Sequence, residues 1–117
     1  MYDLIGFESE YMVRGDAGFS GMFRDRIEDI VWFYESLQNE QGFVNAAHVE
    51  PYGFCPDWSA TKQTGPDGHG TAAYGQMLLT AAFSAVERLA NPWGDSTLKD
   101  RCNQNRNRLN SSIRSAF

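Results

Sequence analysis

Asp57 and Trp58 stand side by side in a long polar stretch, rich in Gly and Pro, between two segments of helical periodicity. A flat indole beside a carboxylate is equipment for holding a sugar. The ring offers an apolar face to a pyranose, and the carboxylate accepts hydrogen bonds from its hydroxyls. Glu50 lies upstream in the same stretch, and His69 stands just before the next helix. The positive end of a helix dipole favours a neutral imidazole, which can share a hydrogen bond with a sugar hydroxyl. Asp57, Trp58, His69 and Glu50 are therefore the candidate substrate-binding residues. The plainer alternative is an indole that plugs a helix end while Asp57 caps the next turn, since indole rings mostly serve packing.

Other chemistry is less well equipped. His48, Glu50 and His69 could approach a metal, but their spacing matches no zinc motif, so neither a metal nor another cofactor is expected. Glu8 and Glu10 could project from the first helix toward a pocket, although surface glutamates are mostly solvated. Asp67-Gly68-His69-Gly70 lacks the Gly-Lys-Ser/Thr ending of a phosphate cradle, and its carboxylate would repel phosphate. Cys55 has no His-Asp arrangement to activate it. The catalytic residues of an enzyme are not identifiable from these groups.

The 117 residues allow one small domain, 1–117, with a net charge of −5. That charge argues against nucleic acid as a partner, because phosphate binding needs a basic face. The Arg- and Asn-rich run from Arg101 to Arg114 reads as the wet side of a helix, with no aromatic residues for stacking on bases. No apolar run is long enough to span a bilayer, so a membrane is not an expected partner. Asp3, Glu8 and Glu10 exclude a basic-then-apolar secretion signal within Met1 to Gly15. Cys55 and Cys102 have no metal spacing; two idle thiols or one disulfide fit, which leaves the compartment open.

Four helical segments must position the loop, making the chain all-α. Leu4, Phe7 and Tyr11 recur at helical spacing from about Asp3 to Arg14, and Gly15 can end that helix in the left-handed conformation. Phe23, Ile27, Ile30, Tyr34 and Leu37 form the stripe of a second helix, widened by Met22 and Val31, with Gly42 as its stop. Pro51, Pro56 and Pro66 interrupt the stretch from Phe43 to Gly70, where Phe43-Val44 can add a short extended piece. Tyr52, Phe54 and Trp58 are too apolar for a solvated linker, which favours an ordered functional loop over about 43–70. A third helix over roughly Thr71 to Ala90 is apolar on nearly every side and reads as buried. Asp95 or Ser96 caps a fourth, with Leu98, Cys102, Leu109, Ile113 and Phe117 on one stripe. Helices one and three read as inner and helices two and four as outer, in two antiparallel hairpins. Arg14-Gly15-Asp16 and Trp93-Gly94-Asp95 repeat the same turn.

The order Gly15-Asp16, Trp32-Phe33, Gln41-Gly42-Phe43-Val44, Asp57-Trp58, Met77-Leu78-Leu79, Gly94-Asp95 and Leu109 through Ile113 to Phe117 resembles part of the six-hairpin glycosidases. The likeness is greatest to the (α/α)6-barrel catalytic domain of bacterial α-L-rhamnosidases. It covers nearly the whole chain and implies that Asp57 and Trp58 lie at the sugar-binding face of the barrel. It also implies hydrolysis by two carboxylates, one protonating the leaving oxygen and one activating water. The family's general acid and general base lie upstream and downstream of this stretch, with no counterpart here. Of the six hairpins of a closed barrel, the chain supplies about two.

The first expectation is therefore a carbohydrate-active protein, resembling part of a glycoside hydrolase and catalytically incomplete alone, with carbohydrate and either missing barrel halves or further copies of itself as partners. The alternative is a small non-catalytic helical module, binding or regulatory, that self-associates through its apolar third helix.

Overall fold

Four long helices and one single-turn helix make up the described part of the chain, which in this computed structural model comprises residues 1–16, 18–44 and 73–116. The fold is all-α. In chain order the helices are α1 (Tyr2–Arg14), α2 (Gly18–Gly21), α3 (Arg24–Leu37), α4 (Ala73–Trp93) and α5 (Ser96–Ala116).

The two Gly-Asp turns do the same physical work. Gly15 ends α1 at φ 75° and Gly94 follows α4 at φ 67°, the left-handed region where a Cβ would be strained. The aspartate after each glycine then starts the next helix. The Gly18 N–H donates to Asp16 Oδ1 at 2.9 Å, and the Leu98 N–H donates to Asp95 Oδ1 at 3.0 Å. Each carboxylate satisfies a backbone donor that a helix start leaves open.

The first connection is longer than the sequence suggests, because α2 intervenes before α3. Phe19 and Phe23 pack at 5.3 Å between ring centroids, and Phe7 of α1 meets Phe23 at 5.1 Å. Met22, expected on the buried stripe, is exposed, since α3 begins only at Arg24. The other end of α3 also differs. The helix stops at Leu37 rather than at Gly42, because Gln38 turns extended at ψ 139°. Gln38 then pairs with Val44 in an isolated antiparallel bridge, the short extended piece anticipated at Phe43-Val44. Gly42 makes the tight turn between them at φ 87°.

Ion pairs fix how the hairpins sit. The Glu87 carboxylate accepts from Asn103 at 3.0 Å and Arg106 at 2.9 Å, as antiparallel α4 and α5 require. Between hairpins, Arg24 pairs with Asp95, Arg101 with Glu35 at 2.6 Å, and Arg108 with Gln38 at 3.1 Å. These partners ascend together along both helices, so α3 and α5 run parallel. Arg88 of α4 meets Glu8 of α1 at 2.8 Å, and Trp93 lies beside Gly21. Both Gly-Asp turns therefore gather at one end of the molecule, and the two hairpins lie side by side in the same sense.

The core follows from this packing. Leu79, Ala82, Phe83, Val86 and Leu89 of α4 meet Leu4 of α1, Ile27 and Val31 of α3, and Leu98, Cys102 and Leu109 of α5. As an apolar helix should, α4 buries most of its circumference, but a strip through Met77, Ala81 and Arg88 stays exposed. Most of the apolar face of α4 is thus covered within the chain, and the Met77, Ala81 and Arg88 strip is what it leaves exposed. Less of α1 is buried than an inner helix should be: Leu4 and Glu8 are covered, whereas Tyr2, Met12 and Val13 are exposed. It packs along α4 and against α2, while the side bearing Tyr2, Ser9 and Val13 is exposed. Arg101 and Arg106, expected on the wet side of α5, instead bridge to α3 and α4 through Glu35 and Glu87.

Asp95 joins the helix cap to the Arg24 bridge, and its pKa lies below the ordinary 3.8, chiefly through the Leu98 N–H and then through Arg24. A depressed carboxylate stabilises the fold above its unfolded pKa and loses that contribution as pH falls through the folded value. Asp95→Asn retains a capping oxygen without the titration. Its stability should therefore decline less steeply than that of the parent below about pH 4, as followed by urea unfolding across pH. Asp95→Ala should cost about 1 kcal/mol at neutral pH from the lost cap alone.

Candidate functional site

Asp57, Trp58, His69 and Glu50 lie outside the described residues, as do His48 and Cys55. The structure does describe the two stems from which the 45–72 connection departs and to which it returns. Val44 and the first turn of α4 are held together by Gln76. The Val44 N–H donates to Gln76 Oε1 at 3.0 Å, and Gln76 Nε2 donates to the Val44 carbonyl at 2.8 Å. One amide thus satisfies both backbone groups of Val44, as a neighbouring strand would. Gln76 and Val44 are each 1 % exposed, so water cannot replace either bond.

The stem before Val44 is built with equal care. Asn39 Oδ1 accepts the Gln41 and Phe43 N–H groups at 3.0 Å each, which folds the chain back on itself. Gln38 Nε2 donates to the Gly42 carbonyl at 2.7 Å while its Oε1 accepts from Arg108. Ser112 Oγ donates to the Gln41 carbonyl at 2.8 Å. The φ of 87° is what calls for glycine at position 42, since a Cβ there would meet only the flexible, exposed side chain of Arg108, which can yield. The connection therefore leaves and returns at the end of the molecule opposite the Gly-Asp turns, from stems tied to α4 and α5.

Gln76 is not among the candidate residues that the sequence offers. Its signal was a polar residue in the first turn of an otherwise apolar helix. Of the two carboxylates weighed for a pocket, Glu8 pairs with Arg88, whereas Glu10 pairs with Arg14 and also lines a groove between α1 and α3. Among the described residues, no group of three His, Cys, Asp or Glu could hold a metal ion, and no helix is long and apolar enough to cross a membrane.

Cys102 is a free, fully buried thiol, and burial pushes its pKa up to about 12. A thiol so disfavoured as thiolate is a poor nucleophile. Iodoacetamide should leave Cys102 unlabelled in the native protein at pH 8 and label it fully after unfolding, as read by peptide mass mapping.

No protein-family model, curated protein or solved structure matches this chain.

Proposed function

We propose that the chain is a carbohydrate-binding segment of a helical toroid, similar to two hairpins of an α-L-rhamnosidase-type glycoside hydrolase, in which Asp57 and Trp58 contact the sugar. The observation that carries this reading is the same-sense placement of the two hairpins. Their short Gly-Asp turns share one end, and the stems of the long connection share the other. Repeating that placement around an axis yields a ring of inner and outer helices with every long connection on one rim. A rim loop is where a small site gathers residues from a rigid scaffold. In this reading Trp58 stacks on the pyranose, Asp57 accepts from its hydroxyls, and Glu50 and His69 add polar contacts.

Hydrolysis is not expected from the chain alone, because in the family it resembles the general acid and general base lie upstream and downstream of this stretch. Calorimetric titration with L-rhamnose tests the binding. Saturable heat is expected for the parent, with affinity reduced about tenfold or more in Trp58→Ala and in Asp57→Ala, each tenfold being ~1.4 kcal/mol. Turnover of an aryl α-L-rhamnoside by the purified chain would contradict the assignment of an incomplete site.

A further inference from the structure

The free edge of the first hairpin carries a groove of ≈ 490 Å³ between α1 and α3. Phe7, Phe19 and Ile30 line it together with Asp3, Glu10 and Arg26. Asp29 is exposed one helical turn from Arg26 and Phe33 on the same side of α3.

Charge is distributed unevenly along the chain. Residues 1–44 hold nine acidic residues against three arginines, a net of −6, whereas α5 holds five basic residues against Asp100, a net of +4. The contact between the hairpins already uses that asymmetry, with Arg101 of α5 meeting Glu35 of α3. Beyond these internal pairs, Asp3 and Asp29 remain exposed on the first hairpin, and Arg114 is exposed and Lys99 half-buried on α5. Exposed Met77 and Ala81 of α4 supply apolar surface to the same hairpin.

We infer that the α1/α3 groove is the docking site for the second hairpin of another copy of this chain. The contact is head to tail: Met77 and Ala81 face the apolar floor, and Lys99 and Arg114 face Asp3 and Asp29. It repeats between molecules the sideways step by which the second hairpin joins the first within one molecule. A contact between unlike surfaces propagates into a ring or a filament rather than stopping at a two-fold dimer. The inference is independent of sugar binding and stands or falls without it.

Sedimentation of the full chain over a concentration series tests this. Association is expected in low salt and should weaken as ionic strength rises from about 0.05 to 0.5 M, where screening shortens the reach of exposed charges. A head variant, Asp3→Lys with Asp29→Lys, and a tail variant, Lys99→Glu with Arg114→Glu, should each associate at least about tenfold more weakly than the parent. Mixing the two variants should restore association, because the reversed head now meets a reversed tail. Unchanged helicity by circular dichroism keeps each variant interpretable. A parent that sediments as a monomer throughout would overturn the inference. So would association that both variants leave intact, or a mixture that stays monomeric.

Discussion

Phe83→Ala is expected to destabilise the protein by about 3–5 kcal/mol, the largest effect of any single truncation among the described residues. Among the described residues the ring is the largest fully buried side chain, 1 % exposed on α4. It belongs to the core cluster to which α1, α3 and α5 also contribute. Its removal forfeits the transfer free energy of an aromatic side chain and leaves a cavity that four packed helices can close only in part. Domains of this size commonly hold about 5–15 kcal/mol in total, so one substitution would take a large share of the whole. A drop in Tm of more than about 10 °C is expected, with a broader transition. Met77→Ala on the same helix is the matched control. Met77 is 54 % exposed, and the change should stay within about 0.5 kcal/mol. If the two variants melted alike, α4 would not be the centre of the core.

The second large effect belongs to Gln76. Gln76→Leu keeps the volume but orphans the N–H and the carbonyl of Val44, both in a site closed to water. Each buried backbone group left unpaired costs about 1–3 kcal/mol, so a loss of about 2–5 kcal/mol is expected. The local readout is sharper than the global one. Exchange of the Val44 amide with deuterium should accelerate well beyond what the change in overall stability explains. Gln76→Glu adds a pH test. A buried carboxylate can accept the Val44 N–H, but only its protonated form can donate to the Val44 carbonyl. The folded state therefore raises the pKa of that glutamate. Its contribution is fully present below the unfolded value of about 4.3 and is lost as pH rises through the folded one. Gln76→Glu should accordingly approach parental stability in mild acid and fall away from it at neutral pH.

Much of the scaffold could be read from local chemistry. Gly15 and Gly94 sit where left-handed turns were expected, and Asp95 caps where a cap was expected, because such roles depend on a few neighbouring atoms. The apolar density of α4 announced its burial for a similar reason, since no surface helix tolerates so few polar residues. The misread features depend on partners distant in sequence. Nothing near Gln38 signals that α3 ends there; the stop follows from the bridge to Val44 and from Arg108, 70 residues away. Arg101 and Arg106 look like solvated charges until α3 and α4 bring Glu35 and Glu87 to them. Met22 fits a helical stripe by spacing alone, but the stripe begins after it because α2 takes up the preceding residues.

The candidate site divides along the same line. Asp57 and Trp58 stand out by adjacency, an indole beside a carboxylate in a stretch rich in Gly and Pro. The device that anchors their loop did not stand out, because a lone glutamine has no signature until its two bonds to Val44 are seen. The two stems are tied to the body of the molecule. The entry is fixed by Asn39, Gln38 and Ser112, and Val44 is fastened by Gln76 to the helix that follows.

The central claim is that this loop, carried at one end of two parallel hairpins, holds a sugar against Trp58. The three tryptophans make a direct measurement available, because each indole N–H gives its own signal in a two-dimensional NMR spectrum of the labelled protein. Trp32 is exposed on α3, and Trp93 has a buried Nε1 beside Gly21 in the turn region at the far end. Titration with L-rhamnose is predicted to move the Trp58 indole signal saturably and leave those of Trp32 and Trp93 in place. A Trp58 signal that stays fixed throughout the titration, or a shift centred on Trp32 or Trp93, would contradict the account.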